Sequence, residues 1–392
     1  MLRSLFSGIS GLRSHQTMLD VTGNNIANVN TTGFKSSQVQ FQDTLSQVLI
    51  NAGGAQGGVG GTNPAQVGLG VRVAGITTNF TQGASQSTGR STDMMIQGDG
   101  FFVVRKGTDT FYTRAGSFDF DATGQMVLPG EGALVQGWAA VNGVIDTNAP
   151  LTDLKVPAGT LMAAVASTKA GYSGNLDSAA ADGTVLNRTV DVYDAKGNER
   201  TLTLTFTKSA TGWTVGAGDG SSTVPPAAMT FAADGSLTTP TTLTVGAVSV
   251  DISKLTGFSG LDTVKAQSQD GQAAGTLQSF SLGADGTITG AFSNGLKQTI
   301  GRIALGSFTN PSGLEKAGGS LFSTTVNSGD PAIGTAGTGG RGSLQGGALE
   351  MSNVDLSSEF TSLIIAQRGF QANSRVITTS DEVLQELVNL KR

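Results

Sequence analysis

The chain has 392 residues, of which 57 are Gly and none is Cys; 14% are charged, and the formal net charge is −5. The length exceeds what one ordinary core contains, so two or more domains are expected. The acidic balance without a basic cluster argues against nucleic-acid binding, no apolar run reaches the length of a membrane span, and the missing Cys removes disulfides and thiolate metal ligands.

Residues 2–28 predict a first helix within a terminal helical assembly segment, 1–30. The Asn- and Gly-rich run 24–33 ends this helix because both residue types tolerate left-handed backbone. Its apolar residues recur on the 3-and-4 beat typical of helices that pack on other helices. They are Leu5, Ile9, Leu12, Leu19 and Ile26.

Segment 31–73 is predicted to connect this helix to a first body, with a Gly-rich tip at 53–61. Gly fixes little backbone geometry, so hinge positions are predicted here at Gly33, Gly57, Gly58, Gly60 and Gly61.

The centre of the chain predicts short strands with alternating apolar residues and Asp-Gly turn signals between them. Residues 74–150 and 276–333 are rich in aromatic strands, whereas 151–275 contains more Ala and Thr. We therefore predict an inner β domain built from the two outer segments and an outer β domain, 151–275, inserted within it. The fold class is α+β, mostly β, with terminal helices.

A second connecting segment, 334–353, contains the predicted hinge residues Gly346 and Gly347, and a last helical segment covers 354–392. Ser352 or Asn353 is the predicted N-cap, and Asp355 and Glu359 would lie near the positive helix end. The apolar stripe of this helix contains Leu356, Phe360, Leu363, Phe370, Ile377, Leu384 and Val388.

Neither stripe can be buried by its own helix, which leaves two interpretations. The helices either pair antiparallel within one chain or pack against helices of other copies. Two bare helices would make a small core, so the second interpretation is favoured, and the twelve stripe residues are the predicted self-assembly interface.

No catalytic, cofactor-binding or metal site is predicted. Segment 119–124 resembles the first half of a calcium loop, but Gly130 stands where a bidentate Glu is required, so a Gly-tipped hairpin is the better interpretation. His15 is the only His, and without Cys or clustered carboxylates it builds neither a metal site nor a triad. An exposed or interface His is expected.

Both ends resemble bacterial flagellar rod and hook proteins. The matching segments are 7–12 (SGISGL), 24–35 (NNIANVNTTGFK), 353–357 (NVDLS), 359–360 (EF), 367–374 (QRGFQANS) and 387–392 (LVNLKR), and 98–102 (GDGFF) and 113–118 (TRAGSF) extend the resemblance inward. The family usually has Ala at the position of Gly23. The inserted segment 151–275 favours hook over the shorter distal rod proteins.

The resemblance implies a hollow, curved helical tube that acts as a universal joint and passes torque from the motor and rod to the filament. Implied partners are further copies of the chain, the distal rod protein, the hook–filament junction protein, the hook cap and the flagellar type III export apparatus, with no nucleic acid and no membrane insertion. It also implies an extracellular location in the flagellar hook.

The resemblance also implies export without cleavage, and the N-terminal residues, which lack a Sec-type signal, are compatible with that. A Cys-free chain suits the cytosol and export equally. The alternatives are a distal rod protein, a β-rich surface adhesin, which would want a cleaved signal or an anchor, and a secreted enzyme.

Overall fold

Two long helices frame a chain that is otherwise mostly β-strand, which confirms the predicted fold class. The computed structural model describes residues 2–54, 57–58, 60–156 and 159–390. The outermost positions of the predicted helical segments, Met1, Lys391 and Arg392, lie outside them. Helix α1 covers Leu2–Ala27 and helix α2 covers Leu356–Asn389.

The N-cap of α2 is Asp355, so the prediction of Ser352 or Asn353 was wrong. The Asp355 carboxylate accepts hydrogen bonds from the backbone N–H groups of Ser357 and Ser358. A carboxylate at this position satisfies free helix donors and also faces the positive end of the helix dipole, which a hydroxyl or amide does less well.

The first connecting segment folds into two successive antiparallel ladders. Its strands are β1 (Ser37–Asp43), β2 (Ser46–Ile50), β3 (Ala65–Gly68) and β4 (Val71–Thr78). Strand β1 pairs with β4 from Ser37↔Thr78 to Asp43↔Val71, and β2 pairs with β3 further out. The β2–β3 ladder therefore continues from the Asp43↔Val71 end of the β1–β4 ribbon, and the Gly-rich segment connects β2 to β3.

The chain divides into two compact units. The first contains residues 1–157, 281–289 and 299–392, and the second contains 158–280 and 290–298. The division predicted from the sequence has four parts, namely terminal helices, connecting segments, an inner β domain and an outer β domain. It stays a prediction.

Besides the helices and β1–β4, the first unit contains short strands around an aromatic core. They are β5 (Ser85–Ser87), β6 (Met94–Gln97), β7 (Phe101–Lys106), β8 (Asp109–Thr113), β9 (Asp119–Phe120), β10 (Met126–Leu128), β11 (Ala133–Ala139), β12 (Thr152–Asp153), β27 (Leu305–Ser307), β28 (Glu315–Gly318), β29 (Leu321–Ser323), β30 (Ala332–Gly334), β31 (Ser343–Gly346) and β32 (Ala348–Glu350). A 3-10 turn covers Pro311–Gly313. Strands β11, β7, β8, β29 and β28 lie side by side in that order.

The core of this unit is packed by rings in edge-to-face contact. Phe101 lies 5.4 Å from Phe80 and 5.9 Å from Phe322 between ring centroids, and Tyr112 lies 4.7 Å from Phe308. Such pairs fix the orientation of the rings as well as burying apolar surface, so the core of this unit is rigidly packed.

The second unit is a pair of four-stranded sheets around its own core. Its strands are β13 (Leu161–Met162), β14 (Lys169–Asn175), β15 (Val185–Tyr193), β16 (Glu199–Ser209), β17 (Gly212–Gly218), β18 (Thr223–Ala228), β19 (Thr230–Phe231), β20 (Leu237–Thr239), β21 (Thr242–Val245), β22 (Val248–Thr256) and β23 (Lys265–Gln269). Strands β24 (Gly275–Leu282), β25 (Thr287–Phe292) and β26 (Lys297–Ile303) contain residues of both units.

Alternation along β16 shows how this second core is built. Leu202, Leu204 and Phe206 are completely buried, while the residues between them face outward. The sheet orders are β15-β16-β17-β18 and β21-β22-β14-β23, and their buried faces share one apolar cluster. The alternation predicted for this stretch is confirmed.

Candidate assembly site

Helices α1 and α2 pack against each other antiparallel through small residues. A Cβ added at Gly11 would lie 2.7 Å from the Asn373 Oδ1 atom, and one added at Gly8 would lie 3.2 Å from Ile377. On α2, a Cβ at Gly369 would lie 2.5 Å from the His15 ring. The helices can approach this closely only because these three positions have no side chain.

The fully buried residues of this contact are small or polar rather than large and apolar. They are Gly8, Gly11, Ser14, Thr22, Asn25 and Ala366. Within one chain the closest contact on α1 therefore runs along small and polar residues beside the predicted apolar stripe, and on α2 it includes the stripe residue Ile377.

The twelve predicted interface residues are left half-buried or exposed by this arrangement. Leu5, Leu12, Leu19, Ile26, Leu363, Phe370, Ile377 and Leu384 are half-buried, whereas Ile9, Leu356, Phe360 and Val388 are exposed. The antiparallel pairing considered from the sequence is present, and this arrangement covers the apolar stripes only in part. Their role as a self-assembly interface stays a prediction.

Further large apolar side chains, which the heptad count missed, are exposed on the same helices. With Ile9, Leu356, Phe360 and Val388 they form what we call the exposed helical surface; the additional members are Phe6, Ile364, Ile365, Val376, Val383, Leu387 and Leu390. Large apolar side chains exposed in this number on two helices are typical of a binding surface.

Part of this surface lies where α2 extends past the start of α1. Gly8 faces Ile377, and both helices rise equally per residue, so Leu2 lies opposite about residue 383. Beyond that point Leu387 is 49% exposed, Val388 68% and Leu390 81%. These side chains extend past the described part of α1.

The β1–β4 ribbon packs on another side of α1. The ring of His15 meets Phe41 edge-on at 5.9 Å between centroids, and the Ser10 hydroxyl accepts a hydrogen bond from the Val71 N–H at 3.2 Å. His15 is thus an interface residue, as expected, held between α2 and the ribbon.

Two Asn side chains tie the helices to the chain that follows α1. Asn25 accepts a hydrogen bond from the Ser37 N–H and donates to the Ser37 carbonyl, and it also donates to the Glu359 carboxylate at 3.0 Å. Asn353 accepts from the Ser36 N–H at 2.8 Å and donates to the Asn79 carbonyl. Burial raises the pKa of Glu359, an effect that the Asn25 bond opposes.

Behind these contacts lies a buried group of three charges. The Lys35 ammonium donates to Glu350 Oε1 at 2.6 Å, and the Arg114 guanidinium donates to Glu350 Oε2 at 3.4 Å. The Lys35 and Glu350 side chains are completely buried and that of Arg114 is 2% exposed. We call these residues the buried charge cluster.

The electrostatics of the cluster follow from its burial. Removal from water lowers the pKa of both Lys35 and Arg114, and the Glu350 charge raises each of them in opposition. A buried carboxylate between two cations is stable only while every partner is in place. Removing one partner leaves charge in a medium that cannot solvate it.

The predicted hinge residues lie in different surroundings. Gly33 has a φ of +68° and a Cβ there would lie 2.5 Å from the Ala115 N atom, so it is tightly packed. Gly346 pairs with Met94 within the β31–β6 ladder, and Gly347 follows it at a φ of +72°. The remaining four, Gly57, Gly58, Gly60 and Gly61, lie at the hairpin tip.

The segment that resembles a calcium loop, 119–124, forms a turn. The Asp121 carboxylate accepts hydrogen bonds from the N–H groups of Thr123 and Gln125 and from the Thr123 hydroxyl, which is a turn closed by its own side chain. In the described ranges no group of three His, Cys, Asp or Glu side chains could hold a metal ion. No helix among the described residues is long and apolar enough to cross a membrane.

The sequence did not predict the buried charge cluster, although two of its members belong to segments that carry the resemblance to flagellar proteins. Lys35 closes the GFK segment and Arg114 lies in the TRAGSF segment. Glu350 lies between Leu349 and Met351, and a lone charge in an apolar run is the available signal for a buried ion pair.

Three family models match the chain. They are flagella basal body rod protein over residues 5–35, flagellar hook protein FlgE/F/G D1 domain over 95–171, and flagellar basal body rod FlgEFG protein C-terminal over 345–390. The first and last matches contain most of the two helices and Glu350, and the middle one contains Arg114.

Full-length relatives are also found. The flagellar hook protein FlgE of Treponema pallidum is 40% identical over 469 aligned positions and covers 100% of both chains. FlgE of Salmonella typhimurium is 36% identical, covering 99% of this chain and 100% of its own. The flagellar basal-body rod protein FlgG of Bacillus subtilis is 36% identical and covers 100% of both chains.

A solved structure has the same fold. The crystal structure of the Helicobacter pylori flagellar hook protein FlgE2 matches with a TM-score of 0.51 at 19% identity, covering 68% of this chain and 100% of that one.

Proposed function

The chain belongs to the family of flagellar hook and basal-body rod proteins, and from that membership we propose that it is the structural subunit of a bacterial flagellar hook. It polymerises with copies of itself into a hollow, curved tube that passes torque from the rod to the filament. The observation that carries this proposal is the exposed helical surface, because soluble monomers seldom expose so many large apolar side chains to water.

The polymer follows from the geometry of that surface. It lies on both helices and faces several directions around α2, which favours heterologous contacts between copies over a closed pair. Contacts of this kind generate an open helical array. Each side chain buried between copies adds to a driving force that is repeated at every subunit.

A hook subunit is favoured over a distal rod subunit. The Treponema hook relative is 40% identical over the whole chain, against 36% for the Bacillus rod relative. The second compact unit supports the same choice. It lies in the inserted part of the sequence, and a large inserted domain is typical of hook proteins rather than of the shorter rod proteins.

The remaining parts of the proposal come from the family. The partners would be the distal rod protein, the hook–filament junction protein, the hook cap during assembly and the type III export apparatus, which would export the chain without cleavage. The family is structural, and we propose that this chain likewise has no catalytic activity.

Electron microscopy of the full chain tests the proposal. Wild-type protein is compared with the double variant Ile364→Asp/Ile365→Asp, which places two charges in the exposed helical surface, and with Val185→Asp, an equally exposed position in the second unit. We expect tubes from the wild type and from Val185→Asp, and folded monomers from the double variant. Tubes of unchanged yield from the double variant, or no tubes from wild type even with preformed seeds, would refute the proposal.

A further inference from the structure

One residue joins three parts of the first unit that are far apart in sequence. Glu350 ends β32, six residues before α2 begins. Lys35 belongs to the segment that leaves α1, and Arg114 follows β8 in the β body. The Lys35–Glu350 and Arg114–Glu350 contacts span 315 and 236 residues of chain.

Every polar atom of Glu350 beyond its own strand pairing takes part in this junction. Oε1 accepts from Lys35 and from the Gly83 N–H at 2.9 Å, and Oε2 accepts from Arg114. The Glu350 carbonyl accepts from the Gly33 N–H at 2.8 Å. The two connecting segments and the body are therefore held by a single side chain and its backbone.

The two cations are held by further contacts that fix their direction. The Lys35 ammonium also donates to the Thr81 carbonyl at 2.7 Å, and the Arg114 guanidinium donates to the Gly98 carbonyl at 2.9 Å. The guanidinium lies 5.3 Å from the centroid of the Phe101 ring, in the aromatic core. The cluster is thus anchored in the most rigid part of the unit.

Burial gives this junction only one favourable arrangement. With water excluded, a displaced Lys35 or Glu350 finds no replacement partner, so the contact cannot slide gradually. Gly33 adds a steric restraint, because its left-handed backbone packs against Ala115 with no room for a side chain. The segment that follows α1 is consequently held rigidly against the β body at Gly33 and Lys35.

We propose that Glu350 is a positioning residue that locks the terminal helices to the β body, so that twist applied to the helices passes to the body through the buried charge cluster. This proposal rests on the proposed function as a hook subunit. It places the compliance of the polymer outside the connection between helices and body, and it competes with the prediction that the Gly-rich segments are the hinge.

The test compares polymers of full-length Glu350→Gln with those of wild type and of Glu315→Gln, a matched change at an exposed Glu in β28. Gln keeps the shape of the side chain but leaves two buried cations without a counter-charge. We expect the Glu350→Gln polymer to bend more easily, with a persistence length in electron micrographs lower by about twofold or more. Amide exchange at Gly33 in the monomer should be faster by about tenfold or more.

Both measurements are made well below the melting temperature of each variant. The persistence length decides the test, because exchange at Gly33 also becomes faster with any loss of stability. If Glu350→Gln fails to fold, Lys35→Met/Arg114→Met/Glu350→Met replaces it, because this triple change removes all three buried charges while leaving apolar packing. If neither variant folds while Glu315→Gln does, Glu350 serves stability alone and the proposal fails.

Two other outcomes decide the matter. Folded Glu350 variants whose polymers match wild type in twist and persistence length overturn the lock but leave the proposed function intact. A change of persistence length in Gly57→Ala/Gly60→Ala, together with none in Glu350→Gln, assigns the hinge to the hairpin tip instead. Failure of wild type to polymerise concerns the proposed function and not the lock.

Discussion

Truncating Leu387 should weaken polymerisation, because half of this side chain is still exposed in the monomer. This side chain lies in the part of α2 that extends past the described start of α1, and 49% of it is exposed. Leu387→Ala removes about three carbon groups at about 0.8 kcal/mol each, and about half of their surface remains to be buried in the polymer. The expected loss is about 1.2 kcal/mol per subunit, which raises the critical concentration about sevenfold.

The critical concentration is measured by sedimenting polymer from a dilution series, and monomer stability by thermal unfolding below that concentration. The matched control is Leu261→Ala, the same substitution at a side chain that is 72% exposed in the second unit. An equal rise in critical concentration from both variants would mean a general solubility effect. No rise in critical concentration for Leu387→Ala would refute the reasoning.

Two further predictions concern the monomer. Gly369→Ala should destabilise the helix pair because its Cβ would overlap His15, yet in a His15→Ala background it should stabilise α2 by up to about 1 kcal/mol, which a double-mutant cycle of thermal melts checks. The N–H groups of Gly260 and Ala179 lower the pKa of Asp177, whose carbonyl accepts the Trp213 indole N–H. A lowered folded pKa gives stability that is present above the ordinary value of 3.8 and lost as the pH falls through the folded value, so Trp213 fluorescence should report an acid transition that Asp177→Asn weakens.

Much of the architecture could be predicted from local patterns. The 3-and-4 beat predicted both helices to within a few residues, and alternation predicted the buried residues of β16. These features are local, because a helix or strand repeats its exposure every few residues.

The face that each helix turns to its neighbour could not be predicted in this way. Periodicity identifies the apolar side of a helix, and that side was taken as the contact. The actual contact within the chain uses Gly8, Gly11 and Gly369, which a hydrophobic count ignores. Close backbone approach through Gly is a steric property, and it becomes visible only when the opposing residue is known.

The buried charge cluster was out of reach for a related reason. Its members are separated by hundreds of residues, and charged side chains are by default assigned to the surface. Only the fold brings Lys35, Arg114 and Glu350 together, so their motif positions gave a hint of importance but no indication of partner.

The division between small-residue and large apolar contacts has a consequence for assembly. The buried positions of the helix pair are Gly, Ser, Thr, Asn and Ala, with Ile377 and His15 packed against two of the Gly residues, so polymerisation can bury the exposed helical surface without first undoing that pair. The free energy of assembly is then independent of the free energy that holds the monomer together. Substitutions such as Leu387→Ala and Gly369→Ala lie about 27 Å apart along α2 at about 1.5 Å per residue, so their effects on the two equilibria should add without coupling.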